Sequence, residues 1–431
     1  MSDFDAHLDQ PEAPKHDPYA ALRDGNYVLF ALGFMCSSFG LQMMAMALGW
    51  EMYERTGSTL WVGLIGLARA LPVVIMALPA GHIIDHFDRK RVLFLTQTGF
   101  AAAAGLLAWA SYAEARKEFV LGLIVLAGLV RTFNGPVRSS LLPDLVPKKT
   151  FANAVTWNSG VFQLSAVLGP MAAGYIIHLM DKAWAVYAIT GVLCGVFAIT
   201  TLFMRPVHMR PRAERMPGMR RGVRDGLRHL IREKVILSTI ALDLFAVLLG
   251  GATALMPVFA KDILMVGPVG LGYLRAMPFV GAFVMAIVLA HRPIRKAAGP
   301  LLLWSVAIFG ACTIGFGLSR WLLLSLACLF VLGAVDNISV VIRHVLVQVR
   351  TPPELRGRVS AVNSVFIESS NELGGFESGA VAWVFGTWLG LGVITGATIS
   401  VVSGGIGTLI VVAAVATAWP QIRKLNRLDE H

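Results

Sequence analysis

Long apolar runs are the feature that most constrains how this chain can fold. Of its 431 residues, 56% are hydrophobic and only 15% are charged, whereas about a quarter of the residues in soluble domains are charged. Each run reaches the roughly 20 residues that an α-helix needs to cross a bilayer core. The sequence therefore predicts an all-α polytopic membrane protein and argues against a water-soluble fold.

Twelve apolar segments are predicted to be transmembrane helices, in two sets of six. The first set comprises 27–50, 59–84, 92–112, 119–141, 154–178 and 183–204, and the second comprises 235–259, 268–290, 299–318, 321–346, 358–385 and 392–419. We therefore expect five regions: a tail (1–26), a six-helix bundle (27–204), a basic linker (205–234), a second bundle (235–419) and a C-terminal tail (420–431).

Lysine and arginine are unevenly divided between the two ends of these spans. If the chain starts in the cytoplasm, the cytoplasmic segments carry 26 of these residues and the opposite side carries six. Cytoplasmic loops of membrane proteins are enriched in Lys and Arg, so both termini are expected in the cytoplasm of a protein in the cytoplasmic (inner) membrane. The same distribution accounts for the net charge of +11, and no nucleic-acid partner is predicted.

Two sequence segments recur at nearly the same offset. GLARALP at 66–72 returns as GYLRAMP at 272–278, and 138–174 matches 343–379 at an offset of 205. The second match pairs Arg138, Asn158, Gly169 and Gly174 with Arg343, Asn363, Gly374 and Gly379. Parallel duplicated halves with a substrate site between them near the midplane are one plan of secondary transporters, and the repeats predict this plan.

A short basic loop joins the second and third spans. Its sequence, GHIIDHFDRKR, contains Gly81, Asp85 and the triplet Arg89, Lys90 and Arg91. A small residue permits close helix packing, and a carboxylate there can bond basic groups or helix N-terminal amides of the other half. The pattern predicts a cytoplasmic gate; the alternative is that the triplet only satisfies the positive-inside rule.

This loop resembles the signature of the major facilitator superfamily between its second and third helices. Further resemblances are Arg131 with Gly135 in the fourth span and, similar to the superfamily's antiporter signature, Gly160, Gly169, Pro170 and Gly174 in the fifth. The stretch RTFNGPVRSSLLPDLVPKKTFANA is similar to the branch that contains the enterobactin exporter and macrolide-efflux-like proteins, also called transmembrane secretion effectors. The resemblance implies two pseudo-symmetric six-helix bundles with a transport function.

One departure from the superfamily pattern concerns the second half, which has HRPIRKAAG at 291–299 in place of an acidic loop signature. A cytoplasmic lock is therefore expected on one half only. The fifth-span glycines and proline are equally compatible with simple helix packing, so they do not by themselves indicate export.

Ionisable residues at mid-depth in a membrane are costly unless they are paired or hydrated, which makes them functional candidates. Glu368 and Glu372 share one stripe of the eleventh span, about 15 to 21 Å from its start. Two carboxylates four residues apart do not both ionise easily in a low dielectric, a property that suits proton coupling. The alternative is that these two glutamates form a neutral pair, or ion pairs with an arginine, and only rigidify the bundle. Asp243 and Asp336 are further coupling candidates expected to face one side of a cavity.

Polar and basic residues in other spans are candidates for the substrate cavity. Arg69 and Arg275 occupy equivalent repeat positions, where they offer guanidinium groups to an anionic or carbonyl-rich substrate or pair with acids such as Glu51 or Glu377. Removing either charge is expected to weaken substrate binding without preventing folding. The remaining candidates are Arg131, Asn134 and Asn371. Arg131 also aligns with Asp336, which allows a pair between the halves.

Other functional signatures are missing from the sequence. It contains no P-loop GxxxxGK[ST], no HExxH and no GxSxG, and its histidines lack metal-ligand spacing, so neither an enzyme nor a metal or cofactor site is predicted. Gly250 and Gly251 are expected to let the seventh helix bend or pack closely. The resemblance implies a monomeric exporter of a small amphipathic molecule, driven by the proton gradient. A proton-coupled importer and a non-transporting receptor remain as alternatives.

Overall fold

The computed structural model describes residues 17–205, 228, 230, 232–294, 296–352 and 355–426, apart from the side chains at 77–82, 85, 252, 358 and 361. Most of the predicted linker, 205–234, therefore lies outside the described residues. The helices of the first half are α1 (Gly25–Thr56), α2 (Thr59–His86), α3 (Arg89–Tyr112), α4 (Lys117–Leu145), α5 (Phe151–Met180) and α6 (Trp184–Phe203).

The second half repeats this order. Its helices are α7 (Lys234–Leu249), α8 (Gly267–His291), α9 (Ala298–Leu318), α10 (Leu322–Arg350), α11 (Arg356–Trp383) and α12 (Val393–Ala418), followed by the short α13 (Pro420–Lys424). Eleven spans, counting α7 with its continuation to Ile263, are long and apolar enough to cross a membrane. The twelfth, α11, is less apolar because it carries three glutamates. The described chain confirms the predicted all-α, twelve-helix plan.

The seventh span is broken rather than straight. After α7 the chain continues through the helical turns Ala252–Leu255, Met256–Val258 and Phe259–Ile263. A Cβ at Gly251 would lie 2.4 Å from the carbonyl oxygen of Gly374 in α11, so only glycine allows this close approach. The span is located as predicted, but it extends beyond 259 and changes helix type at the glycine pair.

Equivalent helices of the two halves pack in the same way. In the first half α1 contacts α5 and α6, while α4 contacts α2 and α3. In the second half α7 contacts α11 and α12, while α10 contacts α8 and α9. The hydroxyl of Thr190 donates to the carbonyl of Gly40 at 2.9 Å, and Thr408 donates to Ala246 at 3.2 Å, joining α6 to α1 and α12 to α7. The sequence repeats therefore correspond to a structural duplication.

Glycines of the repeats form the contact between the halves, where α2 packs on α11 and α5 packs on α8. A Cβ at Gly66 would lie 2.4 Å from the carbonyl oxygen of Glu372, and one at Gly272 would lie 2.7 Å from that of Pro170. Gly174 has the same role, with a Cβ position 2.4 Å from the carbonyl oxygen of Pro268. Side chains at these positions would separate the halves.

The two ends of the bundle differ in how the halves join. We call the end where α1 begins and α12 ends the terminal face, and the opposite end the far face. Near the far face, buried residues of both halves, including Met46, Trp50, Met256 and Phe259, form one hydrophobic core. Toward the terminal face the described residues form separate cores for each half. The halves are thus sealed together at the far face.

Candidate functional site

Charged side chains of both halves meet at mid-depth. The Nη1 of Arg131 donates to Oε1 of Glu372 at 2.6 Å, and Nη2 of Arg69 lies 3.3 Å from the same oxygen. The Nη2 of Arg131 is also 3.4 Å from Oε2 of Glu368. At 1.5 Å per residue, Arg69 and Arg131 lie about 15 and 21 Å from the far-face ends of α2 and α4. The structure brings these four predicted residues together as an ion bridge between the halves.

Local sequence explains why these side chains converge. A spacing of four residues puts Glu368 and Glu372 on the same side of α11. Gly66 lets the α2 backbone approach α11 at Glu372, and Arg69 follows one turn later on the same face of α2. The GLARALP repeat therefore places the Arg69 guanidinium beside the Glu372 carboxylate.

The bridge is only partly shielded from solvent. The Glu372 side chain is 13% exposed, whereas those of Arg131 and Glu368 are 35% and 48% exposed. Because the shared core closes the far face, we attribute this exposure at mid-depth to a space that is reached from the terminal face. A solute entering that space would meet Glu368 and Arg131 first.

Two further arginines, Arg138 and Arg275, flank the bridge. The Nη2 of Arg275 is 3.1 Å from the Cβ position of Gly49, and Arg275 interacts electrostatically with Arg69 and Glu372. The Arg138 guanidinium lies 4.4 Å from the centre of a phenylalanine ring in α1 and interacts electrostatically with Glu368. Sequence analysis identified Arg138 only as a repeat match and missed it as a site residue.

The acids expected as partners for Arg69 and Arg275 lie elsewhere. Glu51 pairs with Arg55 at 3.0 Å, and the Glu377 carboxylate accepts from Ser378 at 3.4 Å. Arg69 instead pairs with Glu372, while Arg275 has no carboxylate within 4 Å among the described residues.

A second charged cluster lies inside the second half. Asp243 forms a close ion pair with Arg343, and both Asp243 and Asp336 line a small pocket with Ser305 and Ser339. This small pocket lies between α7, α9 and α10, within the second half. The expected pair between Asp336 and Arg131 is not formed, because Arg131 is engaged by the glutamates of α11.

The first half has a neutral chain of hydrogen bonds at the corresponding place. The Ser37 hydroxyl donates to Oε1 of Gln97 at 2.8 Å, and Nε2 of Gln97 donates to Oδ1 of Asn134 at 2.9 Å. All three side chains are buried, so Asn134 is enclosed within the first half and is not brought to the central bridge. Asn371 is exposed and donates to the carbonyl of Ile367 in its own helix at 2.8 Å.

The predicted gate residues make their described contacts within the first half. Arg89 bonds Asp144 and the carbonyl of Ser140, and Lys90 donates to the carbonyl of Met204 at 2.6 Å. Arg91 is exposed. The surroundings of Gly81 and the side chain of Asp85 are not among the parts of the chain that the structure describes. A latch to the other half therefore remains a prediction.

The antiporter-like motif packs α5 between two helices. A Cβ at Gly169 would lie 3.1 Å from the carbonyl oxygen of Phe39 in α1, whereas Gly174 and the carbonyl of Pro170 contact α8. Gly160 has no atom within 4 Å of its Cβ position. Three of the four motif residues therefore serve close helix packing.

Polar residues also link the halves at the far face. The Tyr53 hydroxyl donates to the Asp262 carboxylate, and Nζ of Lys261 lies 4.0 Å from Oε1 of Glu54. Sequence analysis missed these contacts, because polar residues at helix ends are common and carry no signal of their partners. In the part of the chain that the structure describes, no group of three or more His, Cys, Asp or Glu residues is placed to hold a metal ion.

Comparisons with known proteins agree with this architecture. The family model described as Major Facilitator Superfamily matches residues 30–375, which confirms the resemblance predicted from the motifs. The multidrug efflux pump Tap of Mycobacterium bovis is 26% identical over 362 residues, covering 80% of this chain and 84% of that protein. Macrolide efflux protein A of Streptococcus pyogenes is 22% identical over 405 residues, covering 90% of this chain and 93% of that protein.

A solved structure shows the same fold. A bacterial homologue of the human lysosomal transporter Spinster, in an inward-facing and unoccupied conformation, aligns with a TM-score of 0.71 and 14% identity over 95% of this chain and 98% of that one. The family and these relatives are transporters, which confirms the prediction that the chain is not an enzyme.

Proposed function

The chain belongs to the major facilitator superfamily, and on that premise we propose that it exports a small amphipathic molecule in exchange for protons. The efflux activities named for its relatives support export. The 26 basic residues on one side against six on the other support a cytoplasmic terminal face in the cytoplasmic membrane. In this proposal the protein works as a monomer, and the proton gradient replaces any cofactor as the energy source.

The observation that carries the proposal is the ion bridge between the halves. Glu372 of the second half is shared by Arg69 and Arg131 of the first half, so its charge holds the two bundles together at mid-depth. Protonation of Glu372 would leave Arg69 without a carboxylate and Arg131 with only its longer pair to Glu368, in a partly shielded site, which costs several kcal/mol. A change of that size is enough to redistribute two conformations. Proton binding can therefore drive the rearrangement of the halves.

Alternating access then follows from the two faces. With the far face sealed, substrate enters from the cytoplasm and reaches the bridge. Once the halves rock and the far face opens, a proton from outside binds Glu372 or Glu368, and it is released to the cytoplasm when the bridge re-forms on the return. In that outward-open state we expect Asp85 and the basic triplet to latch the cytoplasmic side.

The test uses purified protein in liposomes and a compound that the wild type transports. Glu372→Gln removes the titratable group while keeping the size of the side chain. We expect accumulation driven by a pH gradient to fall to background, while exchange of substrate across the membrane without a gradient continues. Glu368→Gln is expected to weaken coupling less, because Glu368 makes only one longer pair.

Glu377→Gln is the matched control, because Glu377 lies on the same helix and its described contact is a serine of its own half. It should couple like the wild type. Gel-filtration profiles and melting temperatures separate an uncoupled carrier from a misfolded one. Full gradient coupling in the Glu368→Gln/Glu372→Gln double variant would contradict the proposal.

Import with protons is a second candidate, and the sharing of Glu372 by two arginines favours it. When Glu372 is protonated, Arg69 and Arg131 become available to an anion, so proton and anion would bind together. Such joint binding is what a symporter requires. Tighter substrate binding on acidification would support import, whereas weaker or unchanged binding would support export.

A further inference from the structure

Among the residues that the structure describes, the central site contains more positive than negative charge. Four arginines, Arg69, Arg131, Arg138 and Arg275, surround two carboxylates, those of Glu368 and Glu372. Even with both glutamates ionised, two positive charges are left over. Charge at mid-depth in a membrane is costly unless it is paired or hydrated, so this excess requires an explanation.

Arg138 and Arg275 carry the excess. Among the described residues neither has a carboxylate within 4 Å, whereas Arg69 and Arg131 are both paired. The Nε of each is buried without a hydrogen-bond partner. Buried polar groups in native structures are nearly always bonded. Both side chains are half-buried. Arg275 lies beside Gly49, toward the far face, whereas Arg138 lies on the terminal-face side of the bridge, where the site reaches solvent.

The second half shows how the fold neutralises such an arginine when its role is structural. Arg343 is the repeat equivalent of Arg138 at the offset of 205, and it is paired with Asp243. Thr190 bonds Gly40 in the first half as Thr408 bonds Ala246 in the second, so Gly40 and Ala246 are equivalent positions. Ser37 and Asp243 lie three residues before them and are therefore equivalent too. The first half thus has a neutral serine where the second half has an aspartate.

We propose that the substrate is an amphipathic organic anion whose negative group is bound by Arg138. This inference rests on the proposed function, because it assigns the substrate class of the same site. Guanidinium groups suit the planar, bidentate binding of carboxylate and phosphate oxygens. The buried ring of Phe34, 4.4 Å from the Arg138 guanidinium, holds this side chain in place by a cation–π contact. A negative substrate would also be helped outward by an inside-negative membrane potential.

The test compares two fluorescent probes that share a xanthene ring and differ in charge. Carboxyfluorescein is anionic and rhodamine 123 is cationic. Each is titrated by fluorescence anisotropy against the protein in phosphatidylcholine nanodiscs, whose zwitterionic lipid supplies no competing anion. We expect carboxyfluorescein to bind at least about tenfold more tightly than rhodamine 123, the size of one charge-assisted hydrogen-bond contribution. Citrate and inorganic phosphate are then added as competitors to show which oxyanion the site prefers.

Variants assign the preference to Arg138. Arg138→Gln should weaken carboxyfluorescein binding by about tenfold or more and leave rhodamine 123 binding unchanged or tighter. Arg138→Lys retains the charge and should keep the anion preference at reduced affinity. Arg320→Gln, at the far face and bonded to Thr398, is the control and should bind both probes like the wild type.

Several results would overturn this assignment. They are equal binding of the two probes, unchanged carboxyfluorescein affinity in Arg138→Gln, or no binding of carboxyfluorescein, citrate and phosphate. If Arg138 were only structural, Arg138→Gln would lower the melting temperature without changing the ratio of the two affinities. The titration needs no gradient, so its failure leaves proton coupling standing, and loss of coupling in transport leaves anion binding standing.

Discussion

The two halves share helix order and packing but differ in the charge at equivalent buried positions. In the second half Arg343 is neutralised by Asp243, whereas in the first half the matching arginine, Arg138, lies beside the central site with no carboxylate partner among the described residues. Positions 131 and 336 also differ, as Arg131 bridges the halves and Asp336 lines an internal pocket. A duplicated scaffold can thus keep its structural contacts while one copy directs its charges to the contact between the halves.

Breaking the internal pair of the second half should have the largest effect on stability. Asp243→Asn would leave Arg343 buried and unpaired, since both side chains are at most 10% exposed. We expect a loss of about 3–5 kcal/mol in the free energy of unfolding, measured by chemical unfolding in mixed micelles.

The double variant Asp243→Leu/Arg343→Met tests the cause of that loss. Replacing both charges by apolar groups of similar size is often nearly neutral, so it should restore most of the stability. If the double variant is as unstable as Asp243→Asn, the pair itself does not explain the effect and the comparison between the halves fails.

Interrupting the neutral chain of the first half should have a smaller effect. Gln97→Leu leaves the buried polar groups of Ser37 and Asn134 without this partner, which is expected to cost about 1–3 kcal/mol. Probe affinity at the central site should stay unchanged, because this chain is enclosed within its half. A tenfold change in carboxyfluorescein affinity with unaltered stability would instead indicate that Asn134 faces the cavity.

The smallest predicted effect concerns the far face. Tyr53→Phe removes the hydroxyl that donates to Asp262 across the halves. A contribution of roughly 1 kcal/mol corresponds to about a fivefold shift toward far-face-open molecules. Pulsed electron paramagnetic resonance measures the shift as a change in the distances between spin labels on the far-face loops. Tyr112→Phe, on an exposed aromatic at the same end, is the control, and equal distance distributions in both variants would refute the bridging role.

Much of the fold could be predicted from local sequence. Apolar runs give the helices because their length matches a bilayer, and the matching repeats at 66–72 and 272–278 mark the two halves. The predicted twelfth span, 392–419, differs from α12, Val393–Ala418, by one residue at each end. The break in the seventh span was predicted only as a possible bend, since whether a glycine pair bends a helix depends on the neighbouring helix, here α11.

Most residues of the central site could be predicted from the sequence, but the ion pairs that they form could not. Glu368, Glu372, Arg69 and Arg131 were all selected because charge in a membrane is costly. Which acid meets which base depends on the rotation and crossing of helices distant in sequence, and no periodicity encodes that. For the same reason Asp336 was expected opposite Arg131, and Arg138 was overlooked although the repeat contained it.

In the proposed mechanism, proton movement and substrate movement are linked through the bridge at Glu372. The most direct test uses everted membrane vesicles with a respiration-generated acid interior, a pH-sensitive dye, and carboxyfluorescein or citrate added outside. The account predicts that the probe is taken up and the pH gradient falls only when the wild-type protein is present, and that Glu372→Gln abolishes the fall. Uptake of the probe by the wild type with an unchanged gradient would contradict it.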